Sequence, residues 1–217
     1  MTATSTTATV DTSARTMPRW YETVDTIVFA GVLNLLLIVF TLAGGVVLGW
    51  APALAAAAAC SRDRLRGRRV LPVRAFARAW ARGFLHANLL TAPAAVTLAL
   101  LATSHLALQG TAPALLVVGL AVVAALCVLH VLLTLTMDAH YDLRRRDCVR
   151  LAWAFMIRFP GAPLLLAATT ALAVVVTAMV PGLLPVISLG AWVYLCTALS
   201  LSFYAANDRN VTATTPE

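Results

Sequence analysis

Five stretches of this chain, residues 27–60, 86–108, 113–137, 162–180 and 183–203, contain no Asp, Glu, Lys or Arg, and each is 19 residues or longer. About 20 apolar residues wound as a helix reach across the ~30 Å hydrocarbon core of a bilayer. A helix also satisfies its own backbone N–H and C=O groups, which lipid cannot do. Only 12% of the residues are charged, where a soluble domain carries about a quarter. The mean hydropathy of +0.87 agrees. These features predict an all-α, polytopic transmembrane helical bundle.

Thirteen of the sixteen arginines lie in two segments, Arg62–Arg82 and Arg144–Arg158, and there is no lysine. The connections Gln109–Ala112 and Pro181-Gly182, by contrast, are short and uncharged. Basic loops stay on the cytoplasmic side. The two arginine segments and the tail from Ala205 are therefore expected inside, and the short turns outside. The net charge of +7 is assigned to anionic lipid headgroups beside the spans rather than to nucleic acid.

Residues 1–17 are rich in Thr and Ser with no hydrophobic period, which predicts a disordered tail. Pro18-Arg19-Trp20-Tyr21 reads as an interfacial anchor, a transmembrane domain fills 18–205, and 206–217 form a cytoplasmic tail. The first apolar stretch, Ile27–Cys60, has 34 residues, about 50 Å as one helix and too long for one upright span. Its Gly44-Gly45, Gly49 and Pro52 predict a helix from about Asp25 to Leu48, a break near Gly49–Pro52, and a shorter helix over 53–66. That piece returns as a hairpin or re-enters. A hairpin puts the N-terminus inside, as Arg15 and Arg19 favour, and a single span puts it outside. The sum is five clear spans and a shorter sixth, arranged as three hairpins.

Within Val73–Phe84, Arg74, Arg78 and Arg82 recur on one helical face and Phe76, Trp80 and Phe84 on the opposite one. Such a helix either lies in the inner interface, with Trp80 toward acyl chains and the guanidinium groups on phosphates, or simply extends the next span and packs its rings on neighbours. Val73-Arg74 with Arg82 also matches Val149-Arg150 with Arg158, each followed by an outgoing span, a short turn and a returning span. A parallel repeat and chance similarity in Arg/Ala-rich sequence both account for this.

Charge buried in a membrane is costly and marks function. The span cores carry none, which argues against a proton-coupled carrier, a charged-substrate carrier and an intramembrane hydrolase. The intramembrane polar candidates are His130 and Asn34, each read also as an interhelical hydrogen-bonding residue. Asp138-Ala139-His140-Tyr141-Asp142 is the one Asp/His cluster, but its spacing puts His140 on the face away from the two carboxylates. Both are expected to pair with the arginines that follow, not to hold a metal. The four cysteines show no Cys-x-x-Cys pair; Cys127 and Cys196 read as small packing residues. No phosphate loop, catalytic triad or cofactor motif is present, so no enzyme activity and no cofactor are expected.

Asp25, Leu33-Asn34-Leu35-Leu36, Gly49-Trp50-Ala51-Pro52-Ala53-Leu54-Ala55-Ala56 and Arg64-Leu65-Arg66-Gly67, continued by Phe76, Trp80, Phe84 and Ala87-Asn88-Leu89-Leu90, resemble the YesL-like family (domain of unknown function 624). The resemblance covers roughly 18–205 and is strongest in the first hundred residues. Leu54 stands where the family usually has Thr, and arginines stand where it mixes Lys and Glu. The Arg/Ala bias suggests a GC-rich, actinobacterial type of genome. The resemblance implies a bacterial cell-membrane protein whose genes sit beside carbohydrate ABC importers, with no established catalytic residues. A non-enzymatic accessory to carbohydrate uptake, contacting lipids and importer permease subunits, is the leading expectation. A small transporter or channel for a neutral solute is the alternative.

Overall fold

The computed structural model describes residues 19–68, 72–108, 113–140 and 144–214, which are helical with no strand among them. The elements are α1 (Arg19–Ala43), α2 (Trp50–Leu65), α3 (Pro72–Ala107), α4 (Ala114–His140), α5 (Arg145–Arg158), α6 (Gly161–Met179), a π-turn (Leu184–Ser188) and α7 (Leu189–Thr214). Five segments are long and apolar enough to cross a membrane: Thr23–Ala43, Pro72–Ala107, Ala114–Asp138, Gly161–Met179 and Leu184–Ala206. α2, with 16 residues, is about 24 Å long and is the shorter sixth helix. The expected tail 1–17, the connection 109–112 and Asp142 lie outside the described residues.

α1 stops at Ala43, not at Leu48. Gly45 takes a left-handed φ of 76°, its N–H donates to the Leu42 carbonyl at 3.0 Å, and the Val46 N–H donates to the Thr41 carbonyl at 2.9 Å. This is a Schellman stop. A Cβ on Gly49 would run into the Thr41 carbonyl, and one on Gly44 into the Gly49 backbone, so the hairpin closes only with glycine there. α2 ends the same way: Gly67 N–H bonds the Arg64 carbonyl at 2.9 Å, and Arg68 N–H the Asp63 carbonyl at 3.0 Å. Arg62 and Arg64 in its last turn complement the negative end of the helix dipole. The helix returns alongside α1, because Arg64 Nη2 reaches Asp25 Oδ2 at 2.6 Å and its guanidinium covers the Phe29 ring at 4.5 Å.

α2 is the centre of the first half. Its buried face is Ala51, Ala53, Ala56, Ala57, Ala58, Cys60 and Ser61, small side chains that let neighbouring backbones approach. Leu33, Leu36 and Leu37 of α1, Phe76 of α3 and Val193 of α7 share the same apolar cluster.

α3 is one rod of 36 residues, about 54 Å long, so Val73–Phe84 extends a span. Phe40 meets Phe76 at 5.2 Å and Trp80 at 5.3 Å, and Trp80 meets Phe84 at 5.0 Å. The rings thus pack on α1 and on one another, while Arg74, Arg78 and Arg82 are exposed on the other side. Asn88 Nδ2 donates to the Leu48 carbonyl at 2.9 Å, two residues beyond His86, whose Nε2 lies 2.8 Å from Asp138 Oδ1. The tip of the first hairpin therefore sits where α4 ends, not beside the α3–α4 connection. The hairpins follow one another as expected, but their tips are not level.

In the second half, α5 runs along α4, with the Trp153 ring stacked on His130 at 4.7 Å. Leu129, Leu132, Leu133 and Met137 of α4, Cys148, Ala152 and Phe155 of α5, and Tyr204 of α7 form its core. Phe159 and Pro160 divide α5 from α6, whereas α3 is continuous. The two arginine-led units share an element order but not a shape.

Candidate functional site

Asn34 is fully buried where α1 crosses the start of α7. Its Nδ2 donates to the carbonyls of Leu184 at 3.1 Å and Pro185 at 2.8 Å, and its Oδ1 accepts the Gly190 N–H at 3.0 Å. These partners also fix the orientation of the amide, since two carbonyls need the NH₂ and an N–H needs the oxygen. A Cβ on Gly190 would collide with the Ala30 carbonyl, so the crossing is backbone against backbone. Asn34 is an interhelical clamp on a π-turn, with three bonds spent on the chain's own backbone.

His130 is buried. Its Nε2 lies 3.5 Å from Thr134 Oγ1, one turn along the same helix, its ring is covered by Trp153, and Nδ1 has no partner among the described residues. The hydroxyl beside His130 thus comes from its own helix and not from a neighbouring one, as the interhelical reading expects. Thr134 itself donates to the His130 carbonyl at 2.7 Å. Thr136 Oγ1 and Tyr204 Oη lie 2.9 Å apart, tying α4 to α7.

Asp138 pairs with His86 of α3 instead of the arginines after it, which corrects the expectation for that cluster. The signal was present: His86 opens an uncharged stretch just as Asp138 closes one. Among the described residues no group of three His, Cys, Asp or Glu could hold a metal ion. Arg74, Arg78 and Arg82 do not converge on Asn34 or His130; the Nε groups of Arg78 and Arg82 donate to the carbonyls one turn earlier at 3.2 Å. Trp80 is half-buried against α1, and its indole N–H has no partner among the described residues.

A cavity of about 610 Å³ lies among α4, α6, the π-turn and α7, lined by Val128, Thr170, Val174, Thr177, Leu189 and Trp192 among others. Its hydroxyls are engaged: Trp192 Nε1 donates to Thr170 Oγ1 at 3.0 Å, and Thr177 Oγ1 donates to Ser188 Oγ at 2.9 Å. A second cavity of about 330 Å³ lies between α1, α2 and α7, and it shares Leu189 and Trp192 with the first. Sequence alone did not single out Trp192; the run of small and hydroxylated residues facing it from α6 gives no periodic signal. A sugar presents many hydroxyls that need partners, and these walls are almost wholly apolar.

Cys60, Cys148 and Cys196 are buried and Cys127 is half-buried. Burial, helped by Asp138 and Asp147, pushes the Cys148 thiol up to about 11, so it stays protonated and unreactive at neutral pH.

Residues 31–104 match the family model described as "Protein of unknown function, DUF624". The YesL-like resemblance therefore fits from the body of α1 to the last turn of α3, a segment that includes Asn34 and Trp80. No curated protein and no solved structure matches the chain.

Proposed function

We propose that the protein is a non-enzymatic integral membrane accessory to carbohydrate uptake, seated beside the permease subunits of an ABC importer. The observation that carries the non-catalytic part is the use of its buried polar side chains. Asn34, Thr134, Thr136 and Tyr204, which are buried, and Thr170 and Trp192, which are half-buried, all bond to the chain itself. Ser61 Oγ, Trp80 Nε1 and His130 Nδ1, unpartnered among the described residues, are not gathered at one cavity, which leaves little to bind or activate a sugar. The carbohydrate context comes from the DUF624 resemblance. Affinity capture of tagged protein in mild detergent tests it: a permease subunit is expected in stoichiometric yield, and its absence from repeated captures would count against the reading.

One observation favours the alternative of a small transporter or channel for a neutral solute. Two cavities flank Leu189 and Trp192 next to a π-turn, a feature frequent at functional sites.

A further inference from the structure

A crevice of about 400 Å³ opens between α3 and α5, walled by Leu89, Leu90, Pro93 and Val149 and edged by Arg146 and Arg150. Arg146 and Arg150 are exposed, and neither makes an ion pair among the described residues. The crevice starts one turn beyond the His86–Asp138 contact, at the beginning of the uncharged stretch of α3. From Leu89 to Ala107 that stretch covers about 28 Å, close to the thickness of a hydrocarbon core. With the hydrocarbon core along that stretch, the two guanidinium groups stand at headgroup depth, with apolar walls continuing beside them.

The exposed face of α5 has the same polarity. Arg146, Arg150, Trp153 and Ile157 fall on one stripe at helical spacing, all exposed, with Ile157 78% exposed; Cys148, Ala152 and Phe155 are buried behind them. Charge gives way to an aromatic and then an aliphatic side chain along one line.

We propose that this crevice is a specific site for one anionic phospholipid of the arginine-side leaflet, its phosphate held by Arg146 and Arg150 and an acyl chain lying on Leu89, Pro93 and Val149. Arginine pairs suit this role because the planar guanidinium presents a fork of donors that matches phosphate oxygens. A phosphocholine headgroup carries a compensating cation and fits a doubly cationic edge less well. The row Arg74, Arg78 and Arg82 does not line this crevice.

The test is native mass spectrometry of the full-length protein with dioleoyl phosphatidylglycerol, dioleoyl phosphatidylcholine, glycerol phosphate or inorganic phosphate added to the detergent. One phosphatidylglycerol retained in preference to phosphatidylcholine is expected. R146Q/R150Q should weaken that retention about thirty-fold, the effect of two basic groups near an anionic lipid, whereas R74Q/R78Q/R82Q should leave it unchanged. Leu89→Trp, which fills the apolar wall and keeps both charges, should also expel the lipid, and it stands in should the double variant not fold. Equal retention of the two lipids, an unaffected R146Q/R150Q protein, or an equal loss in the triple variant would overturn the proposal. So would displacement of the lipid by glycerol phosphate or inorganic phosphate at matched concentration, which would mark a simple anion site.

Discussion

Replacing Asn34 by Leu, similar in size, removes one acceptor and two donated hydrogen bonds without opening a large cavity. The three bonds span 2.8–3.1 Å and join residues about 150 positions apart. Interhelical polar contacts in membrane proteins average about 0.6 kcal/mol each, so three give ~2 kcal/mol as a floor. The Gly190 N–H is left facing an apolar side chain, and an orphaned buried donor costs ~1–3 kcal/mol. The expected loss is therefore ~3–5 kcal/mol, about 160- to 5000-fold in the folding equilibrium. Asn34→Asp separates hydrogen bonding from packing. It keeps the acceptor for Gly190 but sets a second carboxylate oxygen against the Leu184 and Pro185 carbonyls, so it should destabilise at least as much at neutral pH and recover in part on acidification. Reversible unfolding in mixed micelles of increasing SDS content, followed by tryptophan fluorescence, reads the difference. Thr97→Ala is the control: Thr97 bonds only the carbonyl one turn back on its own helix and should change stability by less than ~0.5 kcal/mol. A loss of under ~0.5 kcal/mol for Asn34→Leu, or wild-type stability for Asn34→Asp, would refute the clamp.

Other consequences follow from the same contacts. Gly190→Ala forces a methyl into the Ala30 carbonyl and should cost ~1–3 kcal/mol in the same titration; a neutral result would mean that α1 and α7 do not touch there. Val46, a β-branched residue, has a φ of 56°, which costs such a side chain ~1–2 kcal/mol. Val46→Gly should therefore raise stability by up to ~1 kcal/mol, glycine's own entropy offsetting part of the gain, and a clear loss would contradict the turn. The Cys148 thiol, raised from 9.0 to about 11, should react with a maleimide at pH 8 about a hundredfold more slowly than an unperturbed thiol, with the rate climbing as pH approaches 11. Rapid labelling at pH 8 would show that α5 is not packed as described.

The helical membrane class and the approximate spans were legible because charge vanishes over runs of bilayer length, a signal that needs no tertiary information. The break after α1 was legible as Gly44-Gly45 and Gly49, although Leu48 was placed in the helix; the stop depends on the left-handed φ at Gly45, and a pair of glycines does not say which one caps. Val73–Phe84 admitted two readings because an amphipathic pattern specifies a face and not what covers it. Phe40 of α1 supplies that cover. Asn34 was recognisable as a polar residue in a span, but its partners lie far along the chain on a π-turn that hydropathy does not reveal. Proximity in sequence points Asp138 to the nearby arginines, whereas His86 meets it through the packing of α3 on α4. The cavities at Trp192 arise from the crossing of α7 over α1 and α6, which no local pattern encodes.

With most polar groups of the spans, Asn34 and the threonines among them, spent on the chain itself, the protein as proposed cannot carry a solute alone. Uptake of radiolabelled glucose and maltose into liposomes reconstituted with the purified protein tests it directly. Uptake equal to that of empty liposomes is expected at every sugar concentration. Saturable uptake above that baseline, altered by Trp192→Ala, would contradict it and favour a transport path through the two cavities.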